Sequence, residues 1–249
     1  MKVAVQLYTL RDECEKDFVG TLEKIAALGY DGVEFAGHWG GFKANELREL
    51  LDSIGLEASG SHVSVEMLRD NLEEILQYQQ VIGSKHVICP YLEEERRRNL
   101  EDYSKLVPFF NKVGERCKQL NIAFSYHNHD FELEVFDTVK PLNHLLDETN
   151  AAYVNAEFDI YWLTKANELP SEWIKRYHGR TPLLHLKDMT VDDEKEFAEL
   201  GTGGVDIKAA IEAGAESGVE WLIVEQDQCK GSPFDSIELS INYLKGILN

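Results

Sequence analysis

Four times in this chain a helix-patterned stretch closes on a glycine and turns at once into an apolar run. The phrases are Ala27-Leu-Gly-Tyr-Asp-Gly-Val-Glu34, Ser53-Ile-Gly-Leu-Glu-Ala58, Val81-Ile-Gly-Ser-Lys-His-Val87 and Glu216-Ser-Gly-Val-Glu-Trp221. A glycine just past a helix takes the left-handed cap that other residues resist, so each phrase reads as helix end, cap, strand. The alternation extends to the whole chain. It predicts strands over 2–7, 31–35, 56–62, 85–89, 122–127, 153–159, 182–187 and 219–225, each followed by an amphipathic stretch. Alternating strands and helices call for a parallel sheet with crossover helices. Eight such units in 249 residues predict an α/β fold, a single (β/α)8 TIM barrel over 1–249. No Pro/Gly/Ser linker or composition break divides it. The competing architecture, an open doubly wound sheet, expects a Gly-rich phosphate turn after an early strand. Gln6-Leu-Tyr-Thr-Leu-Arg11 has no glycine.

At 43% apolar the chain reads as globular. Its formal charge of −20 argues against a nucleic-acid partner. The one dense basic run, Arg96-Arg97-Arg98, follows Glu93-Glu94-Glu95 and reads as a solvated loop in preference to a phosphate grip. Cys14, Cys89, Cys117 and Cys229 are widely spaced and without CxxC, which predicts free thiols. The opening Met1-Lys-Val-Ala-Val5 leads straight into a strand with no leader, and no apolar run approaches the ~18 residues of a membrane span. A soluble, cytoplasmic protein is expected, and a homo-oligomer is compatible with the sequence.

Four predicted strands end in groups that bind metals or move protons. They are Phe124-Ser-Tyr-His127-Asn-His129, Val154-Asn-Ala-Glu157-Phe-Asp159, Leu183-Leu-His185-Leu-Lys187-Asp188 and Leu222-Ile-Val-Glu225. Strands buried on both faces should be apolar, so these endings serve something other than packing. In such a barrel the strand C-termini converge on the active site. Side chains two apart share a face, which pairs His127 with His129, Glu157 with Asp159, His185 with Lys187 and Glu225 with Asp227. Glu34, His62 and His86 are further candidate endings. Histidine and carboxylate ligands with open positions suit one divalent ion, Mn, Zn, Co or Mg, acting as a Lewis acid.

Each residue also has a plain structural reading. His62 or His86 alone would be a hydrogen-bonded core histidine. Glu34 would pair with a nearby cation, Glu157 would join a buried ionic network, and Lys187 would neutralise Glu157 or Asp188. For Asp159, His185 and Glu225 together the metal reading outweighs coincidence. Gly201-Thr-Gly-Gly-Val-Asp206 follows strand seven, where such barrels often bind phosphate. Without a Lys or Arg of its own, it reads instead as a turn with Asp206 as helix N-cap. Tyr8, Phe35, Trp39, Phe131, Tyr161 and Trp162 are expected to crowd the mouth, where sugar rings stack.

At these endings the chain resembles the xylose isomerase-like TIM-barrel superfamily, in its sugar phosphate isomerase/epimerase branch. The likeness covers the whole chain. It is carried by Tyr126-His-Asn-His-Asp-Phe-Glu132, Phe158-Asp-Ile-Tyr-Trp162, His185-Leu-Lys-Asp-Met189, Gly201-Thr-Gly-Gly-Val-Asp206 and Val224-Glu-Gln-Asp227. The resemblance implies one divalent ion, with Asp159, His185 and Glu225 as ligands. On strand five, where the epimerases have a glutamate ligand and base, this chain has His127, as inosose dehydratase-like members do. The resemblance therefore implies a metal-dependent isomerase/epimerase on a sugar, sugar phosphate or keto-polyol, working by proton abstraction α to a carbonyl. An inosose dehydratase-like lyase is the alternative, and a non-catalytic sugar-binding relative or a Lys187 Schiff-base lyase remain as other classes. The expected site comprises His127, Asp159, His185 and Glu225 on the metal. Glu225, Glu157, His129 and Lys187 are the proton carriers, and His62, Glu34 and Trp162 shape the substrate pocket.

Overall fold

The computed structural model describes residues 1–248. Eight parallel strands close into a barrel in the order β1-β8-β7-β6-β5-β4-β3-β2. They are β1 (Lys2–Gln6), β2 (Gly32–Ala36), β3 (Glu57–His62), β4 (His86–Cys89), β5 (Ala123–His127), β6 (Val154–Asp159), β7 (Leu183–Leu186) and β8 (Trp221–Val224). Helices occupy the connections, the longest being Leu100–Gln119. The four cap glycines, Gly29, Gly55, Gly83 and Gly218, all take φ between 75° and 86°, as the repeated phrase requires. A two-residue antiparallel ladder, Asp188–Met189 with Phe197–Ala198, lies after β7. No helix among the described residues is long and apolar enough to cross a membrane. The four cysteines are unpaired.

Alternation on the strands sorts side chains into two populations. Outward residues such as Val3, Val5, Leu184, Leu186, Leu222 and Val224 join the large core against the helices. Inward residues divide by height. At the lower end Ala4, Ile88, Leu183, Trp221 and Ile223 form a separate apolar cluster. Two residues further along the same strands the interior becomes polar: Gln6 follows Ala4, His185 follows Leu183, and Glu225 follows Ile223. His86 is the first residue of β4 and not its ending. It therefore sits at the opposite end of the barrel from the other polar endings, in a recess with Lys2, Glu57 and Glu220. That corrects its reading as a further strand ending. Its nearest charged neighbour is Glu220, 3.7 Å away.

One irregularity shapes the polar half. Val33 pairs with Ala58, but Glu34 pairs with Gly60, so β3 carries an extra residue at Ser59. This bulge sets Gly60 against the Glu34 carboxylate. A Cβ at Gly60 would stand 2.7 Å from Glu34 Oε1 and 2.8 Å from Ile88 Cδ1. The missing side chain is the room Glu34 occupies.

Candidate metal centre

The register brings the endings together: Asp159 pairs with His185 across β6 and β7, and His127 with Glu157 across β5 and β6. Donor atoms of His127, Asp159, His185 and Glu225 lie within 4.8 Å of one another, all buried. A second group, His62, His127, Glu157 and His185, satisfies the same criterion just below. The two groups share both histidines, and the rings explain how. His127 turns Nε2 toward Asp159 Oδ2 (3.7 Å) and Nδ1 toward Glu157 Oε2 (3.0 Å). His185 turns Nδ1 toward Glu225 Oε2 (2.8 Å) and Nε2 toward Glu34 Oε2 (2.7 Å). Each ring thus presents one nitrogen upward and the other downward to a carboxylate. That is how metal-bound histidines are usually anchored: the outer N–H donates to a carboxylate that fixes tautomer and orientation.

The lower carboxylates are built to accept. Glu34 Oε2 takes hydrogen bonds from Gln6 Nε2 (2.8 Å) and His185, and lies 2.9 Å from His62 Nε2. Glu157 Oε2 receives His127 and lies 3.0 Å from His62 Nε2. Neither glutamate is exposed or lines the cavity. Asp159 is held differently. Its Oδ1 caps the following helix by accepting from the N–H groups of Tyr161 (2.9 Å) and Trp162 (3.2 Å), while Asn128 Oδ1 receives its own N–H. Only Oδ2 is left to face the site.

Lys187 enters from the next inward position on the β7 edge. Its Nζ lies 3.0 Å from Asp159 Oδ2, 2.7 Å from Glu225 Oε2 and 2.6 Å from Asp227 Oδ1. The expected pairing with Glu157 or Asp188 is not what the structure has. Lys187 points into the barrel mouth, whereas Asp188, one residue on, points away and closes the glycine-rich loop. The Asp188 carboxylate accepts from the amides of Gly201, Gly203 and Val205 at 2.9, 3.0 and 3.0 Å. The donors that would cradle a phosphate are therefore satisfied from within, and Asp206 caps the next helix through Ala209, as the turn reading expects. The arginine run is likewise engaged. Arg96 bonds Glu66, Arg97 bonds the Leu92 carbonyl and lies over the Phe131 ring, and Arg98 bonds Asp102.

The electrostatics follow from burial and crowding. Burial opposes charge on His62, but Glu34 and Glu157 overcome it and raise its pKa to about 9. Burial likewise opposes a proton on His185, yet Glu157, Glu34 and Glu225 lift it well above the usual imidazole value. His127 is depressed by burial and by the nearby His185. His129 is depressed to about 3 by burial and by Lys187. Glu157 rises to about 7 through burial beside Glu34. Glu225 is held below the usual range because Lys187 and His185 outweigh its burial.

These residues fit a divalent ion on three counts. Four donors converge, each shared histidine has an anchoring carboxylate behind it, and three carboxylates, Asp159, Glu225 and Asp227, crowd one ammonium. The buried Oε1 atoms of Glu34 and Glu157 have no hydrogen-bond partner. Buried carboxylate oxygens left without a partner are costly, and an ion bound nearby would offset that cost.

Above the centre opens a cavity of about 690 Å³, lined by His62, His127, His129, Lys187, Glu225 and Asp227 on its polar side. Tyr8, Met67, Pro90 and Tyr91 supply apolar wall. The expected aromatic rim is only partly there. Phe35 and Tyr161 are buried, the latter stacked on Phe197, and Trp39 bonds Ser61. Trp162 and Phe131 stand behind His129, at 5.3 and 5.4 Å between ring centres, and Tyr91 meets it edge-on. Sequence reasoning passed over Gln6, Asn128 and Glu132. Glu132 is fully buried, accepts from Tyr126 Oη and fixes the His129 amide at 2.8 Å. Its place three residues after His129, a carboxylate flanked by the apolar Phe131 and Leu133, was the available signal.

The chain is similar to known proteins in sequence and in fold. Over 168 residues the chain is 27% identical to an inosose dehydratase of Lacticaseibacillus casei. The match takes in 60% of this chain and spans 56%, a little over half, of that enzyme's length. In fold it is similar to a sugar phosphate isomerase/epimerase from Parabacteroides distasonis, with TM-score 0.84 and 24% identity over 98% of this chain and 93% of that one. It is also similar to the IOLI protein solved with a binding zinc atom, with TM-score 0.77 and 15% identity over 100% and 98% of the two chains. A family model for the xylose isomerase-like TIM barrel matches residues 22–247, and the chain belongs to that family.

Proposed function

We propose that the protein is a divalent-metal-dependent enzyme that removes the proton α to the carbonyl of a keto-sugar or keto-polyol. Its preferred outcome is loss of water from a cyclic keto-polyol. The metal ligands in this reading are His127 Nε2, Asp159 Oδ2, His185 Nδ1 and Glu225. When bound, the ion supplies Lewis-acid polarisation of the carbonyl and offsets the negative charge that develops on it. The rest falls to the side chains. Glu225, ionised, and His129, held neutral, face the cavity as proton acceptors. Lys187, held charged, faces it as a donor. His62 reaches the cavity as a hydrogen-bonding group, and Tyr8 and Tyr91 offer ring faces. Trp162 acts from behind His129. Glu34 and Glu157 position the histidines from below.

The observation that carries the dehydratase outcome is the unlikeness of the cavity-facing groups. Epimerisation needs two comparable bases on opposite faces of one carbon. Here the Glu225 carboxylate, the neutral His129 imidazole and the cationic Lys187 and His62 face the cavity, and the second carboxylate, Asp227, is taken up by Lys187, a set suited to one base and one acid. In the elimination the α-proton passes to the base, its electron pair forms the new double bond, and the β-hydroxyl leaves as water with a proton from the acid. Among relatives, the name inosose dehydratase points to the same substrate class. An unphosphorylated substrate is further supported because, of the cations lining the cavity among the described residues, Lys187 already meets three carboxylates and His62 lies against Glu34 and Glu157. Isomerisation or epimerisation shares the first step and is the second reading. Asp227, the other cavity-lining carboxylate, would have to be the second base, but it is bonded to Lys187.

The test is proton exchange. Mn²⁺-loaded protein is incubated in D₂O with a panel of inososes and ketoses and followed by NMR. Loss of the α-proton signal with a dehydrated product from an inosose is expected. Solvent deuterium at the α-carbon of a recovered or epimeric ketose would favour the second reading, and no exchange with any member would overturn both.

A further inference from the structure

The ammonium of Lys187 stands on the very oxygens a metal would need. Asp159 has one oxygen committed to the amides of Tyr161 and Trp162, so its only free ligand atom is Oδ2. Lys187 Nζ is 3.0 Å from that atom and 2.7 Å from Glu225 Oε2. The three contacts of this ammonium are not equal. With Asp227 it makes an aligned hydrogen bond of 2.6 Å. With Asp159 the approach is close but unaligned, and Oδ2 counts as a buried atom without a hydrogen-bond partner. Asp227 is thus the firm anchor of the ammonium, which meets the two ligand carboxylates by charge alone. Asp227 is also the more exposed of the three, so an ammonium drawn to its side moves toward water.

We infer that Lys187 is a built-in competitor for the metal: its ammonium neutralises Asp159 and Glu225 when no ion is bound, and withdraws onto Asp227 when one binds. This rests on the metal reading of the site. Two cations cannot share Asp159 Oδ2 at contact distance without strong repulsion in a buried setting. The competition weakens metal binding but leaves the apo barrel without an uncompensated cluster of buried carboxylates. Withdrawal onto Asp227 also places the ammonium at the cavity wall, where Asp227 is a lining residue.

Mn²⁺ titration by calorimetry of the full chain at one pH tests this with wild type, Lys187→Met and Asp227→Asn. Lys187→Met, which keeps length and removes charge, is expected to bind Mn²⁺ at least about tenfold more tightly. It should also melt lower than wild type in chelator and show the larger rise in Tm on adding Mn²⁺, since the metal then replaces the charge of the lost ammonium. Asp227→Asn takes away the retreat and is expected to bind Mn²⁺ several-fold more weakly. It also serves as the independent arm if Lys187→Met does not fold in chelator. Equal or weaker Mn²⁺ binding by Lys187→Met, or unchanged or tighter binding by Asp227→Asn, overturns the inference while one Mn²⁺ per wild-type chain leaves the metal reading intact. Absence of Mn²⁺ binding in all three proteins overturns both. Binding by Lys187→Met but not by wild type supports competition in its strongest form.

Discussion

The lower and upper halves of the barrel interior are made by the same strands, two residues apart, and are opposite in chemistry. Below, Ala4, Ile88, Leu183, Trp221 and Ile223 fill the barrel as an apolar plug. Above, Glu34, His62, His127, Glu157, Asp159, His185, Lys187 and Glu225 pack at similar burial. The plug is what packing alone would produce in every layer. The upper half is costly to fold, since its carboxylates have left water and Glu34, Glu157 and Asp159 each keep one buried oxygen without a hydrogen-bond partner. A barrel that needed only to be stable would continue the plug. The contrast teaches that stability and chemistry are separated by height along each strand, with Gly60 and the bulge at Ser59 marking the seam.

That comparison can be broken by substitutions in either half. Asp159→Ala should abolish metal binding and lower turnover at least about a thousandfold, with the chain still folded by circular dichroism. Retained metal would show that the upper half is not a metal centre. Trp221→Ala in the plug should cost about 3–5 kcal/mol of stability in denaturant melts. Metal affinity per folded chain should be unchanged, and a matching loss of affinity would mean the halves are not separable. Glu157→Gln should weaken metal affinity about 10- to 100-fold through the His127 ring. A variant that binds as wild type would make Glu157 a bystander.

The mildest test concerns Glu132, a buried carboxylate just beyond β5 that is hydrogen-bonded by Tyr126 and the His129 amide. Burial raises its pKa from the usual 4.5 to about 7. A folded pKa above the unfolded one means the native state holds the proton more firmly. Stability from this group is therefore present below about pH 4.5 and is lost as pH rises through about 7. At 1.36 kcal/mol per pH unit the loss is about 3 kcal/mol. Glu132→Gln should remove that share of the pH dependence, read as the wild-type minus variant stability at pH 5 and at pH 8. A constant difference across that range would contradict it.

Much of this was legible in the chain itself. Four Gly-capped helix ends and eight apolar runs suffice for the barrel, because cap glycines and strand alternation are local properties. The height of Glu157 below Asp159 was legible for the same reason, as was the common face of His185 and Lys187. His86 was legible as well, since the predicted strand over 85–89 already puts it at the start of β4 and not at its end. What was not legible depends on contacts between strands. The partners of Lys187 come from β6 and from beyond β8. The closure of the glycine-rich loop by Asp188 depends on a carboxylate thirteen residues upstream of the first amide it accepts, with a two-stranded ladder between them. Gln6 could be placed inside the barrel by alternation from Ala4, but its bond to Glu34 needed the neighbouring strand.

The most direct measurement is anomalous diffraction from crystals soaked in Mn²⁺ or Zn²⁺. One peak is predicted per chain, about 2.0–2.2 Å from His127 Nε2, Asp159 Oδ2, His185 Nδ1 and a Glu225 oxygen, with Glu34 and Glu157 still receiving the opposite ring nitrogens. A peak among His62, His127, Glu157 and His185 instead, or no peak inside the barrel, would contradict the account.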